Sequence, residues 1–368
     1  MNKKVVKDYL DKGIAKMLQF LQKNLYYESE LEKSIEWIHR PLPEDASNFQ
    51  NRSRYLRILY VAMKYDYGNP KQGLSIEENA FLHTLVNMGH QIIRFDFKEI
   101  EKKFGKLTMN KMLLETVYRY DPDLMFVVLF KNELDKNVIH EISTQTRTIT
   151  LNWFCDDHWR FESYSKWWAP KFNWIVTTDK AALSKYKAIN YHNVILSMWA
   201  CNPHLCKKLD LPYIYDVSFV GRPYGYRKKI INQLRKAGIN VKVWGFGWRK
   251  GRVSQREMVK IFNQSRINLD FINLTAGKKE VKARLFEILG CGGFVLTEYL
   301  DDIKNYYDIG KEVVCYQGVD DLIDKIRYYL KHEDERAAIA KYGYLRTIRE
   351  HTYEKRFKDI FKTIGLDV

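Results

Sequence analysis

The sequence predicts two doubly wound α/β domains of similar size, joined near residues 200–212 and facing each other across a ligand cleft. Short runs rich in β-branched and aromatic residues alternate with helical patterns through both halves, which is typical of parallel sheets covered by helices. Glycines such as Gly89 and Gly238 follow the helices and favour turns into the next strand. The longest uninterrupted apolar run, 124–130, has the length of a buried strand and falls far short of the ~20 residues of a membrane span.

Residues 1–53 are predicted to form a helical extension, because apolar residues recur at near-helical spacing from Tyr9 to Ile38. Pro41 and Pro43 end this pattern. Lysines on the helix would let it lie on a membrane surface, although packing on the globular body is the favoured interpretation. The first residues lack the apolar core of a signal peptide. We therefore expect a cytoplasmic protein, with peripheral contact at the inner face of a membrane as an open alternative.

The first α/β domain is predicted over 54–205. It opens with a strand at 55–62, a loop that contains Gly73, and a helix from 75 to 88. A loop in this place lies at the ligand edge of a doubly wound sheet. A later strand, 148–154, runs directly into an Asp-Asp-His turn, so its side chains are also expected at that edge.

The second domain is predicted over 206–350 and repeats this alternation. Its first strand, 217–220, meets Gly221-Arg222, and its next strand, 241–244, ends on Gly245. A further strand at 294–297 follows a charged helix and a glycine-rich turn. The closing segment, 351–368, is expected to form a helix that packs back on the first domain.

Composition narrows the class of protein. Hydrophobic residues make up 46% and charged residues 29%, as in globular proteins. The five cysteines are odd in number and include no C-x-x-C pair, so reduced, mostly buried thiols are expected rather than disulfides or a zinc site.

The net charge of +16 is concentrated in one segment. Between Asp216 and Glu257 there is no acidic residue, but there are eleven basic ones: Arg222, Arg227, Lys228, Lys229, Arg235, Lys236, Lys242, Arg249, Lys250, Arg252 and Arg256. Such a field points to an anionic partner, namely the phosphates of a small ligand, a nucleic acid or a membrane surface.

A diphosphate site is predicted where Gly221-Arg222 ends a strand and Arg227 and Lys228 begin the next helix. Glycine lets the backbone approach a ligand, and a helix N-terminus offers free N–H groups. Cations at a helix N-terminus oppose its dipole by ~0.3–1 kcal/mol each, a conflict that a bound anion removes. Neither a P-loop nor a G-x-G-x-x-G motif is present in the sequence.

The helix that starts at Lys282 is unusually charged, with Arg284 and Glu287 in its first two turns. A carboxylate in basic surroundings near the edge of a sheet is suited to accept hydrogen bonds from two ribose hydroxyls. One nucleoside diphosphate would then explain both Glu287 and the cations at 222–228.

These motifs resemble the C-terminal half of the GT-B glycosyltransferases. The resemblance is carried by Gly221-Arg222, the strand end at 243–247, Arg252-Val253 and the segment 282–293. More narrowly, they resemble the spore-maturation-protein-like branch of the family-4-related enzymes. The resemblance is strong over 214–360, continues over 55–213 and leaves residues 1–50 uncovered.

The resemblance implies a GT-B fold and transfer of a sugar from a UDP- or GDP-linked donor to a hydroxyl of a glycan, lipid-linked or protein acceptor. Glu287 matches the second Glu of the E-x7-E motif and would bind the ribose. The first Glu is replaced by Lys279, with Glu280 beside it, so Lys282 or Arg284 would face the phosphates. The implied substrate-binding residues are Gly73, Gly221, Arg222, Arg227, Lys228, Gly245, Arg252, Val253, Glu280, Lys282, Arg284 and Glu287.

The implied catalytic residues are Arg222, which with Arg227 or Lys228 would stabilise the leaving diphosphate, and Asp156, Asp157 and His158, which would face the acceptor. Neither a metal nor a cofactor is expected. In a retaining reaction, which the resemblance favours, the departing phosphate can take the acceptor's proton. In an inverting one, Asp156 or Asp157 would be the general base.

Two other classes stay open. A basic nucleic-acid-binding protein is suggested by the charge, but recognition modules are absent from the sequence and many aromatic residues fall in apolar strands. A catalytically inactive protein that binds sugar nucleotides is suggested by Lys279 at the motif position.

Overall fold

The computed structural model describes residues 30–38, 55–275 and 278–366, which form two α/β domains. Most of the predicted N-terminal helix, 1–29 and 39–53, lies outside these residues, and so does the choice between its packing on the globular body and its lying on a membrane. Within 30–38 the helical expectation holds only at the start, because Glu36–Ile38 is a strand that pairs antiparallel with Gln91–Phe95. Within the described ranges, the helices are too short or too polar to cross a bilayer.

The first domain is built on a seven-stranded sheet whose strands are parallel except for the first. Its buried strands are β-branched and aromatic on both faces, as expected where helices cover a sheet on two sides. The strand order is β1-β3-β2-β4-β5-β6-β7. The strands are β1 (Glu36–Ile38), β2 (Arg57–Val61), β3 (Gln91–Phe95), β4 (Leu124–Val127), β5 (Ile149–Phe154), β6 (Trp174–Thr177) and β7 (Val194–Leu196).

Helices connect these strands. A π-helical turn, Glu77–Leu82, continues into α1, and Ser75 accepts the Glu78 N–H at 3.0 Å at its start. The Glu78 carboxylate does not cap the Ser75 N–H in return, because it pairs with Arg94. The helices are α1 (His83–Asn87), α2 (Phe97–Phe104), α3 (Lys106–Tyr120), α4 (Lys136–Gln145), α5 (Asp157–Arg160), a π-helical turn at Phe161–Ser165, α6 (Lys166–Trp168) and α7 (Ala182–Ala188), with 3-10 turns at Asp66–Gly68, Pro70–Gln72 and Ala169–Lys171.

The second domain contains a five-stranded parallel sheet in the order β14-β13-β10-β8-β9 and a two-stranded antiparallel ribbon, β11–β12. Its strands are β8 (Tyr215–Val220), β9 (Val241–Trp244), β10 (Ser265–Asp270), β11 (Asn273–Thr275), β12 (Lys278–Glu280), β13 (Val295–Glu298) and β14 (Val314–Tyr316). Its helices are α8 (Arg227–Lys236), α9 (Gln255–Asn263), α10 (Ala283–Gly290), α11 (Gly318–Lys331) and α12 (Glu333–Glu350), with a 3-10 turn at Asp301–Asn305.

The last helix, α13 (Tyr353–Thr363), packs on the first domain. The Phe357 ring lies 5.7 Å from Phe81, 5.5 Å from Phe126 and 6.4 Å from Trp153, measured between ring centroids. The chain thus returns to its first half and joins the two domains through a shared aromatic core. All five cysteines are free, as expected.

Candidate active site

A cavity of about 710 Å³ lies between the two domains. Its walls are formed where β2, β4 and β5 of the first domain and β8, β9 and β10 of the second reach their carboxyl ends. This is the edge at which ligands bind in open α/β sheets. Pockets that bind small molecules usually have volumes of ~300–1,000 Å³, and this cavity falls within that range.

Two glycines bring backbone close together on the second-domain wall. Gly245 has a φ of 135°, and a Cβ there would lie 2.3 Å from the Gly221 carbonyl oxygen. That oxygen also accepts the Trp248 Nε1–H at 2.8 Å, while the Gly221 N–H donates to Trp244. Both glycines line the cavity, so a ligand meets bare main chain at the strand ends.

Arg222 and Arg227 also line this part of the cavity. Arg222 donates to Gln72 Oε1 at 3.0 Å, and Arg227 donates to the Phe271 carbonyl at 3.1 Å. Across the described ranges, neither guanidinium has a carboxylate within 4 Å. Lys228, the other predicted phosphate ligand, is exposed on α8 and does not line the cavity, because successive helix residues point about 100° apart.

Glu287 lies on α10 and lines the cavity, as does Arg284 one turn before it. Their side chains form an ion pair of 2.7 Å between Arg284 Nη1 and Glu287 Oε2. The pair holds the carboxylate at the cavity wall, although only 15% of the Glu287 side chain is exposed. Helical spacing explains the contact, since residues three apart lie on one face.

Lys282 bridges the domains at the same wall. Its ammonium lies 2.6 Å from Glu280 Oε2 and 3.4 Å from Asp156 Oδ1, and it donates to the Cys155 carbonyl. Burial opposes the charge on Lys282, but the two carboxylates outweigh it and raise the lysine pKa. Asp156 and Lys282 both line the cavity.

Glu280 and His158 lie behind this pair rather than on the wall. Glu280 Oε2 is 2.9 Å from His158 Nδ1, and Glu280 Oε1 accepts the Thr178 hydroxyl at 2.9 Å. Burial would raise the pKa of Glu280, but His158 and Lys282 together hold it below its usual value. Both residues were expected to touch substrate. Both side chains are instead more than nine-tenths buried. Glu280 contacts the Lys282 ammonium, and His158 contacts Glu280.

The donor atoms of Asp156, His158 and Glu280 all lie within 4.8 Å of one another, a spacing that could hold a metal ion. The Lys282 ammonium contacts two of these three residues. The chain itself therefore supplies positive charge at this point.

The sequence predicts that Asp157 faces the acceptor, and this prediction is wrong. It is fully buried behind the cavity, where its Oδ2 accepts the Tyr186 hydroxyl at 2.7 Å. Burial raises its pKa. Successive residues at a helix start point in different directions, so Asp156 faces the cavity while Asp157 faces the core.

Arg252 forms a second bridge between the domains. Its Nη1 lies 2.6 Å from Asp66 Oδ2, and its Nη2 donates to the Leu74 carbonyl at 3.0 Å. Gly73, which has a φ of 76°, sits against this guanidinium, and a Cβ there would lie 3.0 Å from Arg252 Nε. Gly73, Arg252 and Val253 all line the cavity, as expected.

Three acidic residues on the wall were not predicted from the sequence, namely Glu77, Asp270 and Asp66, the last of which pairs with Arg252. Glu77, in the turn that opens helix α1, has its pKa raised to about 7, chiefly by burial. Asp270 is the last residue of β10, is buried and accepts the Thr297 hydroxyl at 3.0 Å. The sequence did contain a signal for two of them: Asp270 lies at the end of a predicted strand, and Glu77 lies in the first helical turn after a glycine-containing loop, and both places are at the ligand edge of the sheets.

The chain resembles known proteins in part of its sequence and in its fold. Residues 225–362 match the family model described as glycosyl transferase-like. The spore protein CgeB of Bacillus subtilis (strain 168) is 23% identical over 209 residues, which are 49% of this chain and 64% of that protein. The chain thus spans less than two thirds of the length of this curated relative.

Solved structures extend the likeness to both domains. Sucrose-phosphate synthase from Thermosynechococcus elongatus has a TM-score of 0.60 at 10% identity, covering 84% of this chain and 99% of its own. The chain has the GT-B fold. A glycosyltransferase from Rickettsia africae ESF-5 resembles this GT-B chain with a TM-score of 0.58 at 11% identity, covering 84% and 99% of the two chains.

A third structure, Anabaena Alr3699/HepE in complex with UDP and glucose, matches with a TM-score of 0.53 at 10% identity, covering 84% of the GT-B chain and 100% of its own. The predicted fold, two Rossmann-like domains around a cleft, is confirmed. The predicted enzyme class, glycosyltransferase, is the class named by the matching family model and by the Rickettsia africae structure.

Proposed function

We propose that this protein is a glycosyltransferase that moves a sugar from a nucleoside-diphosphate sugar to an acceptor hydroxyl. One observation carries the proposal: Arg222 and Arg227 line the interdomain cavity with no carboxylate partner among the described residues, beside the bare backbone of Gly221 and Gly245. A diphosphate would neutralise both guanidinium groups and accept hydrogen bonds from them, since each offers a planar fork of donors. The UDP bound in the Anabaena structure supports this choice of ligand class.

The chemistry follows from where charge develops. When the bond between the anomeric carbon and the diphosphate breaks, negative charge grows on the leaving phosphate. Arg222 and Arg227 are already fixed at that place, so they stabilise the transition state without reorganising. Glu287, held by Arg284, would accept hydrogen bonds from the ribose, and the backbone at Val253 would contact the base.

We propose a retaining reaction in which the leaving phosphate takes the acceptor's proton. Asp156 is the alternative proton acceptor on the opposite wall if the reaction inverts, and Lys282 holds its carboxylate in place at 3.4 Å. Asp157 is no longer a candidate, because it lies in the core. The configuration of the product, read by NMR of the new anomeric proton, separates the two reactions.

The first experiment is ligand binding by thermal shift with UDP and with GDP at millimolar concentration. A nucleotide that binds the folded state raises the melting temperature. We expect stabilisation of the wild type and of Lys228→Ala, and little or none of Arg222→Ala. Lys228→Ala is a matched control, because it removes a cation from the same segment but off the cavity.

Stabilisation by a polynucleotide alone would refute the proposal in favour of nucleic-acid binding. Turnover is tested by donor hydrolysis over hours with common sugar nucleotides. Nucleotide binding without any turnover would favour the catalytically inactive alternative that Lys279 suggests. In the structure Lys279 pairs with Glu298 at 2.7 Å.

A further inference from the structure

Arg160, at the end of α5, is a cation on the first-domain wall that the proposed donor site does not use. Its guanidinium carbon lies 4.1 Å from the ring centroid of Tyr164, 5.6 Å from that of Phe130 and 5.5 Å from that of Trp159. It lines the cavity and is partly exposed. Within 30–38, 55–275 and 278–366, it forms neither an ion pair nor a side-chain hydrogen bond.

This sets Arg160 apart from three other cations on the cavity wall. Arg252 is paired with Asp66, Arg284 with Glu287, and Lys282 with Glu280 and Asp156. Glu133, which lies near Tyr164, accepts the Lys131 N–H at 2.6 Å rather than a bond from Arg160. The five donors of Arg160 are therefore held in place by aromatic rings and left open to a ligand.

The position of Arg160 assigns it to the acceptor side. Arg222, on the opposite domain, lies over the Tyr67 ring at 5.4 Å, and the Tyr67 ring meets that of Phe130 edge-on at 5.3 Å. Tyr67 and Phe130 thus lie between the two guanidiniums. Both rings line the cavity, so they form its wall between the two cations.

We propose that Arg160 binds an anionic group of the acceptor, a carboxylate or a phosphate, so that the acceptor is an acidic carbohydrate. This rests on the proposed function, because it assumes that the donor occupies the Arg222 side. A guanidinium grips either group with two parallel hydrogen bonds, and the stacked rings fix its plane. Lys131, whose ammonium lies 5.6 Å from the centroid of the Phe130 ring, adds a second positive charge nearby.

The test uses the full chain saturated with UDP and two matched probe pairs at constant ionic strength. One pair is p-nitrophenyl glucuronide and p-nitrophenyl glucoside, and the other is glycerol 3-phosphate and glycerol. By calorimetry, the wild type is expected to bind at least one anionic probe about tenfold or more tightly than its neutral partner, the scale of a hydrogen bond to a charged group. The pair that shows the preference distinguishes a carboxylate acceptor from a phosphate one.

Arg160→Gln is expected to abolish this preference while UDP affinity stays unchanged. Arg160→Lys keeps the charge but not the fork, so an intermediate preference is expected, and it serves as the test if Arg160→Gln does not fold. The matched control is Arg147→Gln, because Arg147 is an exposed first-domain arginine paired with Asp121 away from the cavity.

UDP binding without a preference for either anion, or a preference that survives Arg160→Gln, would overturn the inference alone. Failure of UDP to bind the wild type would contradict the proposed function, and the inference with it.

Discussion

Replacing Glu77 by glutamine is expected to stabilise the folded protein at alkaline pH. Glu77 lines the cavity, and its carboxyl pKa is raised from 4.5 to about 7, first by burial and then by the nearby Asp66 and Asp156 carboxylates. In the structure as described, no ion pair compensates the Glu77 charge. The glutamine keeps the shape of the side chain and removes the cost of ionising it in this place.

The size of the effect follows from the two pKa values. The change from 4.5 to about 7 corresponds to about 3 kcal/mol, at about 1.4 kcal/mol for each pKa unit. Because the side chain is partly exposed at the cavity wall, solvent screening reduces this to about 2 kcal/mol. A folded-state pKa above the unfolded one means that the contribution of Glu77 is most favourable below pH 4.5. This favourable contribution is lost as the pH rises through about 7. Above that pH, the amount by which ionised Glu77 lowers the free energy of unfolding is constant.

The assay is equilibrium urea unfolding of the wild type and Glu77→Gln from pH 4.5 to pH 8.5, followed by tryptophan fluorescence. The variant's excess stability should grow from near zero at the acid end to about 2 kcal/mol at pH 8. Glu141→Gln is the matched control, since Glu141 is exposed on α4, and its difference should stay flat. A difference for Glu77→Gln that does not vary with pH, or a variant less stable at pH 8, would refute the reasoning.

Three further substitutions test the site. Glu287→Ala should weaken UDP binding by about 1.5–3 kcal/mol through lost hydrogen bonds to a charged group, and unchanged affinity by calorimetry would contradict the ribose assignment. Glu280→Gln should destabilise the fold by about 3 kcal/mol at pH 7, because it leaves Lys282 without its nearest carboxylate. Since the Glu280 pKa is lowered, that loss should shrink in urea melts as the pH falls below the usual carboxyl range, and a constant loss would argue against the ion pair. Gly245→Ala should lower the free energy of unfolding by about 2–4 kcal/mol, because the new Cβ would lie 2.3 Å from the Gly221 carbonyl oxygen. Gly105→Ala, also at positive φ but in open space, should lower it clearly less. Equal melting temperatures for the two variants would contradict the close approach.

Local sequence patterns were enough to predict several residues that line the proposed donor side of the cavity. Gly221, Arg222 and Arg227 lie within seven consecutive residues, and a strand end followed by a helix start places them together in any parallel sheet. Glu287 was found for a similar reason, since charge in the first turns of a helix that should pack on a sheet indicates a ligand. Features of this kind depend on chain neighbours and can be predicted from the sequence.

Side-chain direction was not predictable in the same way. Lys228 follows Arg227 directly, and Asp157 follows Asp156, yet one member of each pair faces the cavity and the other does not. At a helix start, successive residues point about 100° apart, so small differences in where the helix begins decide which one reaches the ligand. The strand at Glu36–Ile38 shows the same limit, because it exists through pairing with β3 rather than through its own helical pattern.

The sequence by itself determined the two-domain α/β architecture, the cleft and the basic strand-end motif, because periodicity, glycine turns and charge clusters act over a few neighbouring residues. Only the tertiary structure decided the chemistry of the opposite wall. Glu280 meets His158 across 122 positions of the chain, Glu77 owes its raised pKa chiefly to burial, and Arg160 has no acidic partner in the part of the chain that the structure describes. Burial and the distance to a charge from the other domain set these properties, and neither quantity is written in the local sequence.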